Sequence, residues 1–97
     1  VVLDGFITGT AALAAVRRTP DVLPYLIAGH RSAEPGHRFI LDELELDPLL
    51  ELDMRLGEGS GATLALGLIA SACRVMTDMV TFEEAGITHP LAPGGRA

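Results

Sequence analysis

The stretch most able to do chemistry is Gly57-Glu58-Gly59-Ser60-Gly61, in which three glycines surround one carboxylate. Glycines let a backbone approach a ligand closely and adopt conformations that a side chain forbids. Glu58 is therefore presented by its loop. It also precedes an Ala/Leu-rich segment that reads as a helix, whose free N–H groups favour the ionised form, while the apolar neighbours Met54 and Leu56 and any bound ring disfavour it. An ionised Glu facing an apolar slot suits a general base for a neutral heterocyclic N–H. The other reading is a loop whose Glu merely helps cap the helix, and spacing alone leans towards it, because short glycine-rich loops are weak motifs.

A second stretch, Gly29-His30-Arg31-Ser32-Ala33-Glu34, follows an apolar run. In open α/β sheets, ligands bind beyond the carboxyl ends of strands. There the Ser32 hydroxyl and neighbouring amides could hold a phosphate or ribose oxygen, or Ser32 could simply cap the next helix. His30 and His37 invite a metal, but no third ligand has suitable spacing and there is no HExxH pattern, so no metal is assigned. Asp4 either reaches the same crevice or orders its own turn through an Asx-type bond. The run Asp42, Glu43, Glu45, Asp47, Glu51 and Asp53 is simplest as a solvated face.

The elements that must hold these residues follow from hydrophobic pattern and turn chemistry. Val1-Val2-Leu3 reads as a buried strand, Asp4-Gly5 as a turn and Thr10–Arg18 as a helix, which is half of a βαβ unit. Tyr25–Ala28 reads as a second strand buried on both faces. Glu34–His37 reads as a turn, Arg38–Leu46 as a helix, and Pro48–Leu56 as a further helix with Asp47 as its N-cap. Ala62 to about Val80 is apolar nearly all round and belongs in a core or a subunit interface. Thr81–Ala85 forms a terminal turn, and the Pro- and Gly-containing tail is expected to fray.

Ninety-seven residues with 13 acidic and 7 basic side chains, the latter all Arg, give a formal charge of −6. One core-forming unit at most is expected. An acidic chain without a basic stripe cannot release counterions from nucleic acid and is repelled by anionic leaflets, so neither nucleic acid nor membrane is an expected partner. Ala62–Cys73 falls short of the roughly 20 apolar residues needed to span a bilayer. The opening segment has no basic n-region and is interrupted by Asp4, so it does not read as a signal peptide. Cys73, the single cysteine, excludes an internal disulfide and reads as a small buried apolar group in a reducing compartment, with cytoplasm the default.

Four blocks in order, DGFITGTAALAA, YLIAGHRSAEPGH, MRLGEGSGATLAL and TFEEAGI, with 26 residues from Ser32 to Glu58, resemble the C-terminal third of the nicotinate-nucleotide-dimethylbenzimidazole phosphoribosyltransferase family. The resemblance covers almost the whole chain. It implies an α/β fold: the C-terminal portion of a Rossmann-like parallel sheet with helices, plus terminal helices of a small domain, in a homodimer with sites near the subunit contact. Residues 1–46 would be the strand and helix part, 47–85 the helices around the active-site Glu, and 86–97 a flexible tail. The implied reaction transfers phosphoribose from nicotinate mononucleotide to dimethylbenzimidazole, giving α-ribazole phosphate and nicotinate, in cobalamin nucleotide-loop assembly, with no metal or organic cofactor.

By that resemblance Glu58 is the catalytic base. Met54, Leu56 and Gly57 line the benzimidazole slot, Gly59 is a further substrate-binding residue, and Ser32 lies near the phosphoribosyl or nicotinate moiety. The resemblance also places a second functional carboxylate and the phosphate-binding loops upstream of Val1, so the chain reads as part of a longer enzyme and is expected to be inactive alone. The alternative is a non-catalytic dimerisation or interaction module derived from the same family.

Overall fold

The computed structural model describes residues 1–86. In order it contains β1 (Val2–Leu3), α1 (Phe6–Arg18), a 3₁₀ segment (Pro20–Tyr25), β2 (Ile27–Ala28), α2 (Pro35–Leu44), α3 (Ser60–Asp78) and α4 (Phe82–Ala85). The tail expected to fray lies, from residue 87, outside the described residues. Strands β1 and β2 pair in parallel, Val2 with Ile27 and Leu3 with Ala28, and α1 is the crossover between them. This is the βαβ arrangement, and the chain is α/β as the opening pattern implies.

Local chemistry starts α1 four residues earlier than the Ala-rich block suggests. The Thr8 hydroxyl accepts from the backbone N–H groups of Asp4 and Gly5, both at 3.0 Å, which closes the turn at the helix entrance. Arg17 and Arg18 occupy its last turn, where cations favour the carboxyl end of the dipole. Leu3, Ala12 and Leu44 form the core, and Leu13, Val16, Leu23, Leu26, Ile40 and Leu46 pack around it. The core therefore lies between β1, α1 and α2.

Several expectations are corrected. Residues 34–37 are not a free turn: Pro35 starts α2, its fixed φ suiting the first helical position. The helix stops at Leu44 rather than Leu46 because Glu45 adopts φ 55°, and the Leu46 N–H returns to the Leu41 carbonyl at 3.0 Å. Tyr25 belongs to the 3₁₀ segment, and Ile27 is exposed while Ala28 is buried, so β2 is covered on one face only.

The largest correction concerns Pro48–Leu56, which is not helical: it is an irregular segment with one isolated bridge at Leu50 and Asp53 at φ 55°. Leu49 and Leu50 donate to the carbonyls of Ala28 and Gly29 at 3.0 and 3.2 Å, and Arg31 donates to Leu50 at 2.8 Å. A parallel bridge joins His30 and Leu50. Leu50-Glu51-Leu52-Asp53-Met54-Arg55-Leu56 alternates apolar and charged residues, a period of two that does not fit a helix. Proline and a capping Asp are compatible with a helix start, but the alternation is the stronger signal, and the segment takes its backbone partners from Ala28 at the end of β2 and from Gly29, Arg31 and Ala33 beyond it.

Helix α3 meets the strands only at its start. A Cβ on Gly29 would lie 2.9 Å from the Leu3 carbonyl oxygen and 3.1 Å from Ala62 Cα, so bare backbone is what allows this contact. Ala65 is fully buried, but most of the rest of α3 is exposed, contrary to a core position within this chain. Cys73 is exposed as well, not buried. At 19 residues α3 is longer than the apolar stretch read from sequence, and by length and composition alone it could cross a membrane. The core helix of a larger soluble protein has the same character.

Gly61 sits directly under the His30 imidazole, where a Cβ would collide with Nδ1. Gly61→Ala should therefore cost about 1–3 kcal/mol through overpacking, measured by urea unfolding. An unchanged midpoint would show that His30 can move aside freely.

Candidate active site

A cleft of about 490 Å³ opens where the chain leaves the carboxyl ends of both strands. Asp4 and Gly5 follow β1, His30 and Ser32 follow β2, and Gly57, Glu58 and Gly59 come from the loop before α3; all of them line it. The crevice rule for open α/β sheets thus locates the site from topology alone.

The glycine loop is the least ordinary piece of backbone in the chain. Gly57, Glu58 and Gly59 all have positive φ, at 80°, 57° and 77°. The flanking glycines take this region at no steric cost, whereas Glu58 is a non-glycine residue in the left-handed region. The Ser60 N–H donates to the Gly57 carbonyl at 3.0 Å and the Thr63 N–H to Gly59 at 2.8 Å, which closes the turn and begins α3.

Asp4 locks this loop to β1. Its Oδ2 accepts from the Gly59 N–H at 3.2 Å and its Oδ1 from the Ala62 N–H at 3.1 Å. Gly59, the N-cap of α3, has no side chain with which to cap it, so the cap comes from 55 residues away. The carboxylate satisfies two otherwise orphaned donors and places negative charge on the positive end of the dipole. Of the two readings of Asp4, reach across the crevice holds; its local turn is closed by Thr8 instead.

Three carboxylates besides the backbone donors define the electrostatics of the cleft. Asp4 is engaged by α3, and Glu34 is paired with Arg55 at 3.2 Å. The Glu58 side chain makes no hydrogen bond or ion pair among the described residues and is exposed on the cleft. Glu58 is thus the carboxylate left available for a ligand. Ser32 does not cap α2, whose N-cap is Glu34; its hydroxyl accepts from the Glu34 N–H at 3.1 Å in a local turn ahead of the helix, and Ser32 lines the cleft.

The structure thus brings Ser32, Gly57, Glu58 and Gly59 together. Met54 and Leu56 do not line the cleft: Met54 is half-buried, its carbonyl accepting from the Ala33 N–H at 2.8 Å, and Leu56 is 72% exposed. The apolar wall comes instead from Phe6 and Ile7 in the first turn of α1, with Phe6 packed over Gly36. Sequence reading passed over these two, along with Thr8, Glu34 and Arg55. Their signal was position, immediately after a strand's carboxyl end or beside the Ser32 and Glu58 loops. No group of three or more His, Cys, Asp or Glu residues among the described residues could hold a metal ion.

Comparison with known proteins matches residues 1–87 to the family model described as "Phosphoribosyltransferase". The chain belongs to this phosphoribosyltransferase family. It is 57% identical over 89 residues to the nicotinate-nucleotide–dimethylbenzimidazole phosphoribosyltransferase of Chloroflexus aggregans, covering 92% of this chain and 25% of that protein. Identity to the enzyme of the same name from Desulforudis audaxviator is 54%, with the same coverage. The crystal structure of the enzyme of that name from Thermus thermophilus superposes with a TM-score of 0.85 at 50% identity, covering 91% of this chain and 26% of that one. The chain therefore spans about a quarter of the length of the curated relatives it matches.

Removing the Asp4 cap should be felt by the whole cleft. Asp4→Ala should cost about 0.5–2 kcal/mol, the range for loss of a helix cap, measured by chemical unfolding. A change within experimental error would mean that water replaces the carboxylate without loss.

Proposed function

We propose that this chain contributes the proton-accepting part of an active site that transfers phosphoribose from nicotinate mononucleotide to dimethylbenzimidazole, giving α-ribazole phosphate and nicotinate. The observation that carries this reading is the Glu58 carboxylate, without a partner among the described residues and held on a cleft between two left-handed glycines. One benzimidazole nitrogen attacks the anomeric carbon as the bond from that carbon to the nicotinate nitrogen breaks, and the electron pair leaves with nicotinate. The second ring nitrogen gives its proton to Glu58, so that the product is neutral at the ring.

On this reading Gly57 and Gly59 let the ring approach backbone closely, and the exposed apolar surface of Phe6 and Ile7, rather than Met54 and Leu56, supplies the ring contact. Ser32 serves the phosphoribosyl or nicotinate portion, and Arg55 brings positive charge to a cleft that is otherwise acidic. No metal or organic cofactor takes part. The remaining groups come from the portion of the relatives that this chain does not span, and the working enzyme is a cytoplasmic homodimer.

A second reading, an interaction module without catalysis, draws on α3, where Leu64, Leu66, Leu68 and Met76 are exposed. An exposed apolar face of this kind is characteristic of association surfaces. A full-length family enzyme carrying this segment that assembles but forms no α-ribazole phosphate would favour this second reading.

In such a full-length enzyme, Glu58→Gln should lower kcat by about 10²–10⁴-fold, the usual worth of a general base, with little change in nicotinate mononucleotide binding. Unaltered turnover would remove Glu58 from the chemistry. Ser32→Ala should mainly raise KM for nicotinate mononucleotide, as expected for loss of a contact made equally in ground and transition states. A rise confined to dimethylbenzimidazole would reverse the placement of the two substrates.

A further inference from the structure

Of two buried histidines, His30 lines the cleft and His37 stands behind it, and the proposed reaction uses neither. His30 and His37 are 3% and 1% exposed, with ring centroids 6.1 Å apart. His37, in the first turn of α2, accepts a hydrogen bond at Nδ1 from the Ser32 N–H at 2.8 Å. Ser32 is thereby held at both ends of its turn, its amide by His37 and its hydroxyl by the Glu34 N–H.

We propose that His37 is a positioning residue for the nucleotide substrate: its unprotonated Nδ1 fixes the Ser32 amide and so keeps the Ser32 hydroxyl on the cleft wall. A nitrogen that accepts this bond has no proton, so the neutral ring carries its proton on Nε2. The surroundings favour that form. Burial, and then the nearby His30 and Arg31, lower the His37 pKa from its ordinary 6.5, while Asp4 acts in the opposite direction. These are the charged groups facing it from the segments after β1 and β2, and α1 contributes the uncharged Gly9, where a Cβ would lie 3.5 Å from the ring. Protonation at Nδ1 would set one N–H against another and release Ser32.

The sign follows directly. A histidine whose folded pKa is depressed keeps its acceptor through neutral pH and loses it only as pH falls through the lowered value, which lies below the ordinary 6.5. Positioning of Ser32 should fade in the same direction. The proposal rests on the reading above that Ser32 serves the nucleotide, so its test has one arm that needs no reaction.

In that arm, long-range ¹H–¹⁵N NMR of a full-length family enzyme carrying this segment should show His37 Nδ1 unprotonated at pH 7.5, and a Ser32 amide resonance that moves as His37 titrates. A proton on Nδ1, or a Ser32 amide indifferent to His37, overturns the proposal whatever the enzyme's substrates are. In the kinetic arm, KM for nicotinate mononucleotide should be raised about tenfold by His37→Leu with kcat less affected, the usual scale for one lost hydrogen bond. His37→Asn, whose side-chain oxygen can take the place of Nδ1, should restore KM to within about threefold and flatten its rise below pH 6.5. Titration of the substrate phosphate is common to both proteins and cancels in that comparison. If His37→Leu fails to fold, wild type against His37→Asn still decides, and an Asn variant that keeps the full wild-type pH dependence of KM overturns the proposal.

Discussion

The Asp4 carboxylate at the start of α3 is the interaction on which the rest of the site depends. Two backbone donors, 55 and 58 residues away in sequence, converge on one side chain at the end of β1. The bonds are charge-assisted and lie at a helix N-terminus, where a negative charge is favoured. By contrast, the ion pair joining Arg17 of α1 to Glu43 of α2 is largely exposed on both sides, and pairs of that kind contribute about 0–1 kcal/mol. The cap, rather than surface pairing, ties the glycine loop to the sheet.

That tie also divides the work among the cleft carboxylates. Asp4 is consumed by the helix, Glu34 faces Arg55, and Glu58 stands without a partner among the described residues, between glycines whose left-handed backbone turns the chain. Three acids of similar intrinsic chemistry thus have different surroundings. The same logic separates the histidines: His37 has its Nδ1 bound to a backbone amide, whereas His30 Nδ1 is buried against Gly61 with no hydrogen-bond partner among the described residues.

Away from the cleft, the apolar flank of α3 stays open within this chain. Ile27 of β2, Leu49 beside it and Leu68, Ile69, Cys73 and Met76 of α3 enclose a second hollow of about 470 Å³. Its lining is almost wholly apolar, and Ile27, Leu49, Leu68 and Met76 are exposed around it. An all-round apolar helix with so little of its own chain against it accords with a segment that spans a quarter of its relatives' length.

Much of the site was legible in the residues. The βαβ opening followed from a short apolar strand, a turn and an Ala-rich helix, and Glu58 and Ser32 stood out through their glycine and strand-end settings. What misled was local ambiguity: Asp47-Pro48 can begin a helix, but Leu50 to Leu56 alternates with a period of two, and the chain just beyond β2 offered it backbone partners. The slot expected at Met54 and Leu56 rested on the family resemblance; in the structure the cleft's apolar wall comes from Phe6 and Ile7.

The sequence by itself determined the fold class, the family blocks and the presentation of one carboxylate by glycines, because strand periodicity, turn residues and backbone freedom are local properties. Only the tertiary structure decided that Asp4 caps α3, that His37 accepts from the Ser32 amide and that, among the described residues, Glu58 is the cleft carboxylate without a partner. Those facts depend on which distant groups meet, and a hydrogen-bond partner tens of residues away leaves no mark on the spacing of either residue.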